Sequence, residues 1–234
     1  MIRAVVLAAV FLSGAALMSL EMAGVRLVQP EFGSDIIVWG SLISVFLGGL
    51  AIGAILGGRL ADRRPALWKL GAILALGGVV ALSIPLYSDA VLNYMFPGEG
   101  APLPEEWGAG GAGAAGQLVV YMPPDLRWPT LGVGLLLFLV PSVLLGMVTP
   151  YAAKLLIHAL GHLGVGVGGI SGLSTVGAIV GTLGTTFYLI TWMGTRWLLA
   201  ANGLVLVGLG LALALVHLAM PRERRRPLPR SAHL

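Results

Sequence analysis

Glu21 is the residue whose type and position most invite chemistry. It stands inside the apolar run AVVLAAVFLSGAALMSLEMAGVRLVQ, where an ionised side chain is costly unless it has a partner or a task. Arg26 follows on the same run, at a spacing that permits partial pairing although i and i+4 would be better. Two readings stay open from the sequence. Glu21 is either a structural partner of Arg26 or of a neighbouring helix, or a proton or cation site. His158 and His162 have the i, i+4 spacing of a two-ligand metal face, but no carboxylate is near them in sequence and Gly161 interrupts the helix between them. No metal is expected there. The run Gly164-Val-Gly166-Val-Gly168-Gly169 imitates the glycine turn of a nucleotide-binding domain. That turn must follow a strand and precede an acidic residue about 20 positions on, whereas no acidic residue occurs between Asp125 and Glu223. No nucleotide and no other cofactor is expected. The absence of cysteine removes thiol catalysis and cysteine-ligated metals.

Milder polar groups remain. Ser171, Ser174 and Thr175, with Thr182, Thr185 and Thr186 further along, suit either a polar pathway or hydrogen-bonded contacts between helices, and the latter is favoured. Asn202, alone in an apolar run, is expected to bond another helix. Lys154 lies one turn beyond Pro150 and reads as an anchor reaching the headgroups.

The elements that must position these groups are membrane helices. Of 234 residues, 57% are hydrophobic and only 10% charged, against about 25% charged in an ordinary globular domain. Hydropathy places spans near 4–28, 36–61, 69–95, 130–158, 164–191 and 196–219, the fourth bent at Pro141 and Pro150. The chain is thus expected to be all-α and polytopic, with a six-helix domain over 1–220 and a basic tail over 221–234. The stretch 97–128, with its GAGGAGAAG run, has the composition of a flexible loop. The net charge of +4 is a topology signal and not a nucleic-acid footprint. Eleven of fourteen basic residues fall on the side of the N-terminus, the second-to-third and fourth-to-fifth connections and the tail, where Asp62 and Glu223 are the only acids. The positive-inside rule then makes both termini cytoplasmic in the cell's inner (plasma) membrane. The tail PRERRRPLPRSAHL suits anionic headgroups or an acidic partner.

Two glycine series set helix contacts. Gly49, Gly53 and Gly57 recur every fourth residue on the second span, and Gly164, Gly168 and Gly172, then Gly177 and Gly181, mark the fifth. Such spacing lets helix backbones approach closely in lipid, so these two spans are expected to be the close-packing ones and to offer surfaces for a homodimer.

Gly58-Arg59-Leu60-Ala61-Asp62-Arg63-Arg64 resembles the loop joining helices 2 and 3 of major facilitator transporters, which implies a latch-like role for Arg59, Asp62, Arg63 and Arg64. A wider resemblance covers about residues 10–215. Leu20-Glu21-Met22 with Arg26, Val38-Trp39-Gly40-Ser41, Gly146-Met147-Val148-Thr149-Pro150 and Leu173-Ser174-Thr175-Val176-Gly177 look like the membrane half of the fused major facilitator/spermidine-synthase family. Gln29-Pro30-Glu31 departs from it, and the soluble aminopropyltransferase-like domain expected after the last helix does not follow. The resemblance implies the fold of one half of a major facilitator transporter. It also implies a membrane module of a spermidine-synthase-like system, not an enzyme by itself, that anchors or serves a separately encoded aminopropyltransferase-like partner. The alternative is a homodimerising half-transporter for a small cation such as a polyamine.

Overall fold

An apolar run that leaves water must satisfy its backbone within itself, and a helix is the local way to do so. A computed structural model of the chain describes residues 2–32, 36–63, 65–95, 127–160 and 163–219. Among these the architecture is all-helical: α1 (Ile2–Phe32), α2 (Ile36–Asp62), α3 (Leu67–Met95), α4 (Arg127–Leu160), α5 (Leu163–Gly184) and α6 (Thr195–Ala219). Helix α5 continues through a π-turn, Thr185–Leu189, into a last turn, Ile190–Trp192. All six helices are long and apolar enough to cross a membrane. The shortest candidate span, 25 residues, is about 37 Å long at 1.5 Å per residue, against about 30 Å of hydrocarbon.

Helix α1 runs past the expected end near residue 28, through Pro30 to Phe32, with Val28 and Phe32 buried. Pro141 and Pro150 both lie inside the continuous α4. Beside Pro141 the Ser142 hydroxyl donates to the carbonyls of Phe138 and Leu139 at 2.7 and 2.9 Å, the back-bonding of a helical serine to its own helix. The expectations for the loop at 97–126, the basic tail, Arg64 and His162 lie outside the described residues, as do the side chain of His158 and the surroundings of Gly164.

The closest pairs are α2 with α4, α3 with α6 and α1 with α5, followed by α3 with α4. Exchanging the first three helices for the last three maps the three closest pairs onto themselves. Helix α1 has the largest buried share of the six and α5 the smallest.

Glycine explains why these pairs form. A Cβ on Gly49 would collide with Ser142, one on Gly53 with Val143 and Gly146, and one on Gly57 would stand 2.6 Å from the Met147 carbonyl oxygen. The α2 series therefore faces α4. Gly177 and Gly181 of α5 press on the α1 backbone at Phe11 and Ala15. A third seam joins α3 to α6: a Cβ on Gly71 would lie 2.7 Å from the Gly210 oxygen, and one on Gly78 2.6 Å from that of Gly203. So α2 and α5 each have a glycine seam, but with different partners. Phe46 of α2 stacks on Phe138 of α4 with ring centroids 5.4 Å apart.

Candidate functional site

Four of these helices enclose a cleft of about 370 Å3. Helix α1 contributes Ser13, Gly14 and Leu17, α2 Leu50 and Ala54, α4 Gly146, Thr149, Pro150 and Ala153, and α5 Val167, Ser171 and Ser174. Residues far apart in the sequence, Ser13 and Gly14 of α1, Gly146, Thr149 and Pro150 of α4 and Ser174 of α5, thus meet in one place. Thr149 donates to Ser174 across the cleft at 3.4 Å, a long contact. Gly14 is required there, because a Cβ on it would strike the Ser174 carbonyl.

Glu21 follows Leu17 by one turn on α1, and the i, i+4 relation keeps it on the cleft-lining face. It is 8% exposed. Among the described residues no hydrogen bond and no ion pair to its carboxylate occurs. Arg26 does not pair with it. Five residues of helix rotate the two side chains about 140° apart, and Arg26 is exposed beside Gln29, Pro30 and Thr195. The structural reading of Glu21 as the partner of Arg26 therefore has no contact to rest on. A buried carboxylate without a partner offers a negatively charged acceptor to a cation or a proton.

One end of the bundle is fastened by the connection between α2 and α3. Asp62 pairs with Lys154 of α4 at 2.8 Å. Lys154, expected from its position to reach the headgroups, thus also has an ion-pair partner. Tyr151, fully buried, accepts a hydrogen bond from the Ala66 N–H at 2.9 Å and donates to the Ala66 carbonyl at 3.1 Å. Arg59 and Arg63 are exposed. At the opposite end Arg196 of α6 grips both oxygens of Asp89 of α3 at 2.5 and 2.6 Å. Sequence reasoning passed over Tyr151, whose one signal is an aromatic hydroxyl placed directly after Pro150.

The upper glycines of α5 are placed differently from the lower ones. A Cβ on Gly168 or Gly172 would meet nothing within 4 Å, and Ser171 and Thr175 beside them are exposed. Among the described residues there is no group of three or more His, Cys, Asp or Glu able to hold a metal ion. No family model matches the chain, and no curated protein and no solved structure matches it.

Proposed function

We propose that this protein is a membrane module of a spermidine-synthase-like system, built like one half of a major facilitator transporter and not catalytic by itself. It serves a separately encoded aminopropyltransferase-like partner, and its own chemical contribution is to hold a cationic group, such as a polyamine ammonium, at Glu21. The observation that carries this reading is the meeting at one cleft of residues from two of the segments that resemble that family, Gly146, Thr149 and Pro150 of α4 and Ser174 of α5, with Glu21, from a third, left without a partner among the described residues on the same face of α1. The exchangeable pairing of the first and last three helices supports the half-transporter architecture, since such halves are built from paired three-helix repeats. The Asp62–Lys154 pair and the Tyr151 clamp support a latch at the face where the charge map puts the cytoplasm.

Two experiments test this. Purification of the protein from native membranes at low salt is expected to retain a soluble partner, and recovery of the bare membrane protein would count against the assembly. A reporter active only in the cytoplasm is expected to work after Leu234 and to fail near Gly110; the reverse pattern would overturn the orientation.

A second reading is favoured by the open face around Gly168 and Gly172. In it two copies associate and complete a path for the cation between them. Uptake of spermidine into proteoliposomes decides it. Flux abolished by Glu21→Gln supports transport, whereas no flux, or flux indifferent to that change, leaves the module without a transport role.

A further inference from the structure

On another side of α1, away from Glu21, three polar side chains from three helices meet. The Thr185 hydroxyl donates to the Ser19 oxygen at 2.7 Å, and the Asn202 amide nitrogen donates to the same oxygen at 2.8 Å. The second proton of that amide goes to the Leu198 carbonyl at 2.9 Å. Thr185 is fully buried, and Ser19 and Asn202 are 4% and 9% exposed. Neighbouring threonines use their hydroxyls differently. Thr175, Thr182 and Thr191 all bond carbonyls of their own helix, the usual habit of a helical threonine. Thr185 opens the π-turn and spends its proton across the interface instead. Single π-turns inside α-helices occur disproportionately at functional sites.

The cluster forms the floor of a cleft of about 340 Å3, within the roughly 300–1,000 Å3 of small-molecule sites. Its rim includes Tyr188, Leu189 and Val205, exposed by 67%, 40% and 49%. These lie on candidate membrane spans, Tyr188 and Leu189 near the end of theirs, so the mouth opens toward lipid. Counting donors and acceptors then specifies what can enter. A carbonyl can only accept, so the contact to Leu198 fixes which end of the Asn202 amide is nitrogen. Both amide protons are used, and Oδ1 accepts no bond from the described residues. The two hydroxyls share one link, which consumes one of their two protons whichever way it points. One O–H donor and one amide acceptor are therefore left at the floor, and buried polar groups of this kind are normally satisfied. No Asp, Glu, Lys, Arg or His lines the cleft.

We propose that this cleft binds a neutral, membrane-dissolved molecule through a hydroxyl group, which supplies an acceptor to the spare O–H and a donor to Asn202 Oδ1 at once. Its apolar body leaves past Tyr188 and Leu189 into the bilayer. A cation is not suited to this floor, which carries no charge, and an alkane leaves both polar groups unmet.

The full chain in lipid nanodiscs is tested with a diazirine-bearing fatty alcohol and, as control, the same photoprobe ending in methyl. The alcohol is expected to label the rim at Tyr188 and Leu189 roughly two- to tenfold more than the control, the span of one net hydrogen bond. Excess 1-dodecanol is expected to suppress that labelling, and Asn202→Leu, which removes the Oδ1 acceptor, to lower it toward the control. Equal labelling by the two probes in the wild type overturns the proposal, whether or not the variant folds. So does labelling spread evenly onto Leu135 and Leu136, exposed residues of α4.

Discussion

Helix α1 faces two clefts of similar size and opposite character. Toward α2 and α4 it lines the first with Ser13, Gly14 and Leu17, with Glu21 one turn further on the same face. Toward the end of α5 and α6 it presents Ser19, whose oxygen already receives two hydrogen bonds from other helices. One side holds a carboxylate that no described residue satisfies; the other holds neutral groups that are mostly satisfied by each other. The difference teaches that polar residues on one membrane helix can be divided by partnership. Where cross-helix bonds close on themselves, the group holds the bundle together, and where they do not, it is left for a ligand.

The two sides share a wall, the seam in which Gly177 and Gly181 meet the α1 backbone. Breaking it should have the largest effect. Gly181→Val is expected to cost at least about 1–3 kcal/mol, because a side chain placed against the Ala15 backbone must push two helices apart. A loss of detergent stability or of folded yield checks this, and a well-behaved variant would show that the seam is not tight. A smaller effect is expected on the neutral side. Asn202→Leu should destabilise the protein by about 0.6 kcal/mol and by no more than about 1.7, the range of polar contacts between membrane helices. A double-mutant cycle with Ser19→Ala measures the coupling, and strict additivity would dissolve the cluster as a unit. By contrast Glu21→Gln is expected to leave stability unchanged or raised, since it removes a buried charge that has no partner.

Smaller still is the Asp62–Lys154 pair, which is partly exposed. Asp62→Asn should cost about 0.2–1 kcal/mol at low salt and less as salt rises. Insensitivity to salt would argue against an ion pair. The smallest change is expected where α5 is open. Gly172→Ala has room for its methyl group and should stabilise the helix by a few tenths of a kcal/mol, below the ~0.5–1 kcal/mol of a fully helical reference. Clear destabilisation would mean that this face is covered by another molecule.

The sequence made the spans legible because each apolar run is longer than the bilayer is thick, and only the ends moved: α1 extends to Phe32 and α4 reaches Arg127 and Leu160. Glycine spacing told which face of α2 is small, but spacing alone does not name a partner, and Gly49, Gly53 and Gly57 turned out to face α4. The α3–α6 seam was missed because Gly71 and Gly78, like Gly203 and Gly210, are two turns apart and so escape a search for every fourth residue. Asn202 was rightly expected to bond another helix. Ser19, its partner, could not be named, since 183 residues separate them and no local pattern links them. The partner of Lys154 could not be named for the same reason: Asp62 lies on another helix. Glu21 stood out in sequence by the cost of its charge, while its separation from Arg26 required the helix geometry.

The most direct test of the account is thermal unfolding of the purified wild type and of Glu21→Gln, each with and without spermidine. If Glu21 holds a cationic group, spermidine at about a hundred times its Kd should stabilise the wild type by about 2.7 kcal/mol and leave Glu21→Gln, itself no less stable than the parent, unmoved. A wild type that gains nothing from any polyamine, beside a clearly destabilised Glu21→Gln, would contradict the account and return this carboxylate to a purely structural role.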